Sequence, residues 1–138
     1  MPSKILCPTD GSAHATVGVQ KAADLARQIG CPLTVCVVNI AHGGARGPTI
    51  NHWTPEEASA VLEAAVAAAR SSRAPEVSGI ELVSREAAPA IVTFAAQEGF
   101  DHIVMGTGDK QGVKRLVLGS VAAEVAADAH CTVTIARA

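Results

Sequence analysis

The residues best equipped for chemistry lie in "MGTGDKQGVKRLVLGS", residues 105–120, which holds four glycines, three basic side chains and one aspartate. Glycines let a backbone approach phosphate oxygens closely, and lysine or arginine supplies the opposing charge. Familiar phosphate loops do not fit, however. A Walker loop requires GxxxxGK[ST], and the chain contains no GK[ST]. A dinucleotide fingerprint requires GxGxxG opening a helix. Here the glycines run Gly106, Gly108, Gly112, one residue too long, and the next helical pattern begins only at Ser120.

Two readings of this stretch remain open on the residues alone. In one, the amide groups at the start of the helix near Gly119 and Ser120 hold an anion, helped by Lys110, Lys114 and Arg115. In the other, the stretch is a solvent-exposed loop ending in a serine helix cap.

Other candidates are weaker. His42 and His52, ten apart in a glycine-rich segment, are poorly spaced for a metal. Trp53 is placed to pack as a staple ahead of Thr54 and Pro55, and His14 sits on a solvated helix face. Asp10 and Asp109 with Mg²⁺ are the nearest thing to a hydrolytic pair, but nothing supplies a general base. No catalytic residue and no protein-held metal is assigned, and a weak ATPase is the most that is expected.

Positioning these residues falls to alternating strands and helices. "KILCPT" (4–9) reads as a strand, and a helix capped by Ser12 and stopped by Gly30 follows. The run 32–40 is an almost continuously apolar strand, as suits one covered on both faces. Residues 41–54 read as a loop that folds over a ligand crevice or a dimer surface. A helix then opens at Thr54 and Pro55 with acids in its first turn and arginines near its end. An edge strand (79–86), a short helix, the strand "DHIVMGT", an alanine-rich helix and the strand "CTVTIARA" complete the order β-α-β-α-β-α-β-α-β. Such alternation forces right-handed crossovers and a mainly parallel sheet with helices on both faces. Ligands of such sheets bind outside the carboxyl ends of the strands. Here those ends are Pro8–Thr9–Asp10, Val38–Asn39–Ile40 and Met105–Gly106–Thr107.

The 138 residues make one domain, 1–138, large enough for a core. A 49% hydrophobic content and a net charge of −2 argue against disorder and against a nucleic-acid binder. The apolar runs are too short for a membrane span, and no secretory signal is evident, so a cytoplasmic location is expected. Cys7, Cys31, Cys36 and Cys131 form no CxxC pair and read as reduced, mostly buried small residues.

"ILCPTDGS", "REAAPAIVTFAAQEGFDHIVMGT" and "GVKRLVLGSVAAEVAADAHCTVTIAR" together resemble the universal stress protein family, in order and over nearly the whole chain. The resemblance implies a three-layer α/β/α sandwich, Rossmann-like and akin to the adenine-nucleotide alpha-hydrolases. Its five-stranded, mostly parallel sheet would have the order 3-2-1-4-5. It also implies a homodimer joined through the last strand, Cys131 to Arg137, and ATP or AMP as ligand, with Mg²⁺ as a companion. Nucleotide-binding members carry G-x2-G-x9-G-[ST] after the fourth strand. By that resemblance Gly106 and Gly119 allow close backbone approach and Ser120 bonds phosphate. Asp10 faces the adenosine, and the Val38 backbone meets the adenine edge. Pro8, Thr9, Thr107, Gly108, Asp109 and Val121 complete the implied cofactor-binding set.

Asp109 stands where the pattern has its second glycine. Aspartate tolerates the left-handed backbone better than most residues, but its charge opposes phosphate. Two like charges ~4 Å apart in a surface environment repel by roughly 4 kcal/mol before screening, about half of what a micromolar site is worth. Either the carboxylate points to solvent, with Gly108 supplying the backbone freedom, or a divalent cation bridges it to phosphate. Failing both, the site is empty and the protein acts through its dimer or partner surface.

Overall fold

The computed structural model describes residues 3–107 and 118–137. Strand β1 (Ile5–Pro8) is fully buried, as its apolar run requires. Helix α1 (Ala13–Ile29) follows, with Ser12 Oγ accepting from the Ala15 amide and Gly30 closing it in the left-handed conformation at φ 76°. Strand β2 (Pro32–Gly43) leads into the short strand β3 (Thr49–Asn51). Helix α2 (Pro55–Ser71) starts from a complete capping box between Thr54 and Glu57. Then come β4 (Glu76–Ser84), α3 (Ala87–Gln97), β5 (His102–Gly106), α4 (Ser120–Asp128) and β6 (Thr132–Ala136).

Five strands form the expected parallel sheet, spatially β4-β2-β1-β5-β6. Counted without β3, this is the order 3-2-1-4-5. The segment 41–54 departs from the expected loop. β2 continues to Gly43 and pairs antiparallel with β3, placing Ala41 opposite Asn51 and Gly43 opposite Thr49. Gly43 and Gly44 turn the hairpin at φ 76° and 93°, and Arg85 Nη2 ties the turn back by donating to the Gly43 carbonyl at 2.5 Å. β4 also begins earlier than expected, at Glu76.

The sheet separates two apolar cores. On one face Ile5, Cys7, Leu33 and Val35 meet the alanine stripe of α1 (Ala22, Ala23, Ala26), with Leu62 and Val66 of α2 alongside. On the other, Leu6, Cys36, Ile103 and Met105 meet Ile91 of α3 and Val125 of α4. Each large aliphatic buried in this way contributes roughly 1.5–3 kcal/mol. With few aromatics, the layers come close because the facing residues are small. A Cβ added at Gly79 of β4 would stand 2.9 Å from Val66 Cγ2 and 3.0 Å from Leu62 Cδ1.

Candidate functional site

β1 stops at Pro8 while β2 runs on, so a crevice opens at the carboxyl ends of β1, β2 and β5. The cavity there measures about 520 Å³ and is lined by residues of β1, β2, β5, α3 and α4 and by His52 and Trp53. That volume lies in the range of small-molecule sites. Of the residues singled out in the sequence, Pro8, Thr9, Asp10, Val38, Gly106, Gly119, Ser120 and Val121 all line it. Thr107 stands beside them, and its carbonyl accepts from the Gly119 amide at 2.8 Å. This bond fastens the end of β5 to the start of α4. Gly108 and Asp109 lie outside the described residues, as do Lys110, Lys114 and Arg115.

The β1 end is held by short local bonds. Thr9 is buried; its amide donates to the Cys36 carbonyl at 2.8 Å, and its Oγ1 accepts from the Gly11 amide at 3.2 Å. Asp10 is exposed, and its Oδ1 accepts from the Ser12 amide at 2.9 Å. That turn aims a carboxylate into the cavity mouth just ahead of the α1 cap.

Val38 contributes main chain. Since the Cys36 carbonyl faces β1, the alternation of the strand turns the Val38 amide and carbonyl to the same edge. The last β1–β2 register pair is Pro8 with Cys36, so that edge of Val38 faces the cavity. A donor and an acceptor side by side suit the edge of a nucleobase.

At the α4 end, the N-cap is Gly119 (φ −65°, ψ 160°), and among the described residues no side chain caps the helix. Ser120 is therefore the first helical residue and not the cap that one of the two readings of this stretch made it. A serine cap turns its oxygen onto the helix amides; with glycine at the cap, no cap side chain covers the first-turn amides, and Gly119, Ser120 and Val121 line the cavity. Such a terminus favours an anion.

Gly106 is required by packing as well as by position. A Cβ there would overlap the carbonyl oxygen of His14 in the first turn of α1. Sequence reasoning missed its partner Gly18, where a Cβ would stand 2.6 Å from the Gly106 amide nitrogen. It also missed Ile91, while Asn39, Ile40 and Met105 were named only as strand ends and His52 and Trp53 only within the 41–54 segment expected over the crevice or a dimer surface. For Asn39 a signal was present, a lone amide in the otherwise apolar "VCVVNI". Asn39 is 1% exposed. Its Oδ1 accepts from the Trp53 amide at 2.9 Å, and its Nδ2 donates to the Trp53 carbonyl and to Glu81 Oε2, each at 3.0 Å. Trp53 precedes the Thr54 cap and is half-buried at the cavity.

Among the described residues, no three His, Cys, Asp or Glu side chains converge to hold a metal. The arrangement is suited to holding a ligand with an anionic end and a flat end.

A parallel sheet with a crevice at the ends of β1, β2 and β5, an uncapped helix start and a free strand edge defines the adenine-nucleotide alpha-hydrolase-like class of α/β domains. The profile of the universal stress protein family matches residues 1–137. The chain belongs to the universal stress protein family. Universal stress protein MJ0531 of Methanocaldococcus jannaschii is 30% identical over 138 positions, covering 97% of this chain and 81% of that protein. A universal stress protein from Archaeoglobus fulgidus, solved in complex with dAMP, is 27% identical with a TM-score of 0.70, over 99% of this chain and 98% of that one. Another universal stress protein, solved in complex with cAMP, shares the fold at 22% identity and a TM-score of 0.75, over 99% and 97% of the two chains.

Proposed function

We propose that this protein binds an adenine nucleotide, ATP or AMP, in the crevice and acts as a stress-response or signalling module in the cytoplasm. The observation that carries the reading is the pairing of two unlike ends in one cavity. An uncapped helix start lies at Gly119 and Ser120, and a free main-chain edge lies at Val38. The phosphates belong at the first end and the base at the second, with Asp10 toward the ribose. Pro8, Thr9, Gly106, Thr107 and Val121 shape the walls between; Gly108 and Asp109, also in the implied cofactor-binding set, lie outside the described residues. The complexes of relatives with dAMP and cAMP support the choice of ligand.

The functional unit of this proposal is a homodimer. Among the described residues, β6 pairs only with β5, so its other edge carries main-chain groups that a second copy would satisfy. No described helix is long and apolar enough to cross a membrane.

One observation favours a second reading, in which the protein holds no nucleotide and works through its dimer or partner surface. Asp109 puts a carboxylate where the binding pattern has glycine. Calorimetric titration with ATP, ADP, AMP and cyclic AMP, with and without Mg²⁺, on wild type and Asp109→Gly, decides between them. Micromolar wild-type binding supports the first reading, and Mg²⁺ dependence identifies a bridged carboxylate. Binding seen only in Asp109→Gly establishes the second. Steady ADP release that Asp10→Ala removes would instead mark the protein as a slow ATP hydrolase.

A further inference from the structure

Trp53 and His52 form a tilted aromatic pair, ring centroids 5.3 Å apart and planes at 54°, and both line the crevice beside Val38 and Ile40. The strand before them, β3, is only three residues long. Here the wall is fixed by a buried amide. Asn39 grips the Trp53 main chain at both its N–H and its C=O, and its second amide hydrogen goes to Glu81 on the neighbouring strand. The His52 amide adds a bond to the Ile40 carbonyl at 2.7 Å. Every side-chain polar atom of Asn39 is thereby used, as its near-complete burial demands.

We infer that the His52–Trp53 pair is the wall on which the flat base of the ligand stacks, and that Asn39 is the positioning residue that holds it there. This rests on the reading of the crevice as a nucleotide site, and it names what that reading leaves open: which groups distinguish a fused-ring base from a smaller one or none. The grip is on main-chain atoms, so it survives any side chain at position 53. Stacking and positioning are therefore separable by mutation.

Trp53 is the only tryptophan in the chain, so its fluorescence reports the wall directly. AMP added to the wild-type protein quenches Trp53 emission in step with calorimetric heat, whereas ribose 5-phosphate at the same concentration leaves emission unchanged. Trp53→Leu weakens AMP about tenfold, the typical worth of one base–aromatic stack. Asn39→Ala gives the same loss and a lower Trp53 anisotropy, and the double variant loses no more than either single one. If Asn39→Ala does not fold, Asn39→Thr, which suits a strand, is read in the same way.

Heat with AMP but no change in Trp53 emission overturns the wall and leaves the nucleotide reading standing. Additive losses in the double variant overturn the positioning role of Asn39. No heat with any adenine nucleotide removes the wall and the nucleotide reading together.

Discussion

Gly18 of α1 and Gly106 at the end of β5 pack backbone to backbone. A Cβ on Gly18 would approach the Gly106 amide nitrogen to 2.6 Å, and a Cβ on Gly106 would overlap the His14 carbonyl. The first two turns of α1 thus lie on the strand end that forms the cavity floor, and any side chain at either glycine moves them apart.

The sign of the effect makes this testable at Gly18. In an exposed helix interior, glycine to alanine adds up to about 1 kcal/mol of stability. Here the added methyl has no room, so Gly18→Ala is expected to destabilise by about 1–3 kcal/mol, the usual cost of overpacking. Gly106→Ala is expected to do the same. Urea unfolding at pH 7 measures both. Neutral or stabilising outcomes would show that the close approach relaxes freely.

The start of α2 is the second place where a local bond carries measurable energy. Thr54 Oγ1 accepts from the Glu57 amide at 3.2 Å, and Glu57 Oε1 accepts from the Thr54 amide at 2.9 Å. Thr54→Ala removes the first bond outright and is expected to cost about 1 kcal/mol. Trp53 is held by Asn39 rather than by the cap, so its fluorescence anisotropy stays at the wild-type value. A fall in anisotropy would mean that the cap, not the amide, orients the aromatic pair.

These contacts also show what the sequence could and could not disclose. Ser12, Gly30, Thr54 and Pro55 are local signals, and each marks its helix boundary within a residue. Alternation of apolar runs with alanine-rich ones is likewise a property of the chain alone, and it yields the parallel sheet. The hairpin of β2 and β3 was hidden because the glycines between its strands read as a loop. Only their positive φ values reveal a tight turn. Gly18 was hidden for a related reason, since a glycine inside a helical pattern looks like a defect until a neighbouring strand needs the space. Ser120 was the only cap the sequence offered for α4, and the extended backbone of Gly119 puts the cap one residue earlier. Asn39 depended on a partner fourteen residues away. The crevice was legible as a location, from the strand ends, while the grip of Asn39 that sets His52 and Trp53 against it was not.

Two of the cysteines make stability depend on alkaline pH. Cys7 and Cys36 are fully buried in the central strands. Burial raises both thiols above their ordinary value of 9.0, Cys36 to about 12, and the proximity of Cys36 raises Cys7 further. The folded protein therefore keeps these protons where the unfolded chain releases them. Their contribution is whole below pH 9 and declines as pH rises from 9 toward 12, by about 1.4 kcal/mol per pH unit for each thiol. The chain has no tyrosine, so no phenol titrates in the same window. The urea midpoint should be level from pH 7 to 8.5 and fall above 9, with Cys36→Ala showing a shallower decline. An equal slope in that variant would assign the alkaline loss to other groups.

The last prediction concerns the helix start at the cavity wall. Gly119 caps α4 with an extended backbone at φ −65° and ψ 160°, which a residue with a side chain can also adopt. Its amide is already engaged with the Thr107 carbonyl, so a substitution there need not disturb the fold. Valine fits poorly at an N-cap, and Gly119→Val is expected to cost about 1 kcal/mol of stability. Its branched side chain would stand where, on the proposed reading, phosphate oxygens meet the amides of Val121 and Ala122. Loss of one or two charge-assisted hydrogen bonds weakens a nucleotide by about 10- to 100-fold. Binding should therefore collapse while the folded signal by circular dichroism persists at 25 °C. Retained AMP affinity in a folded Gly119→Val protein would mean that the phosphate does not sit at the start of α4.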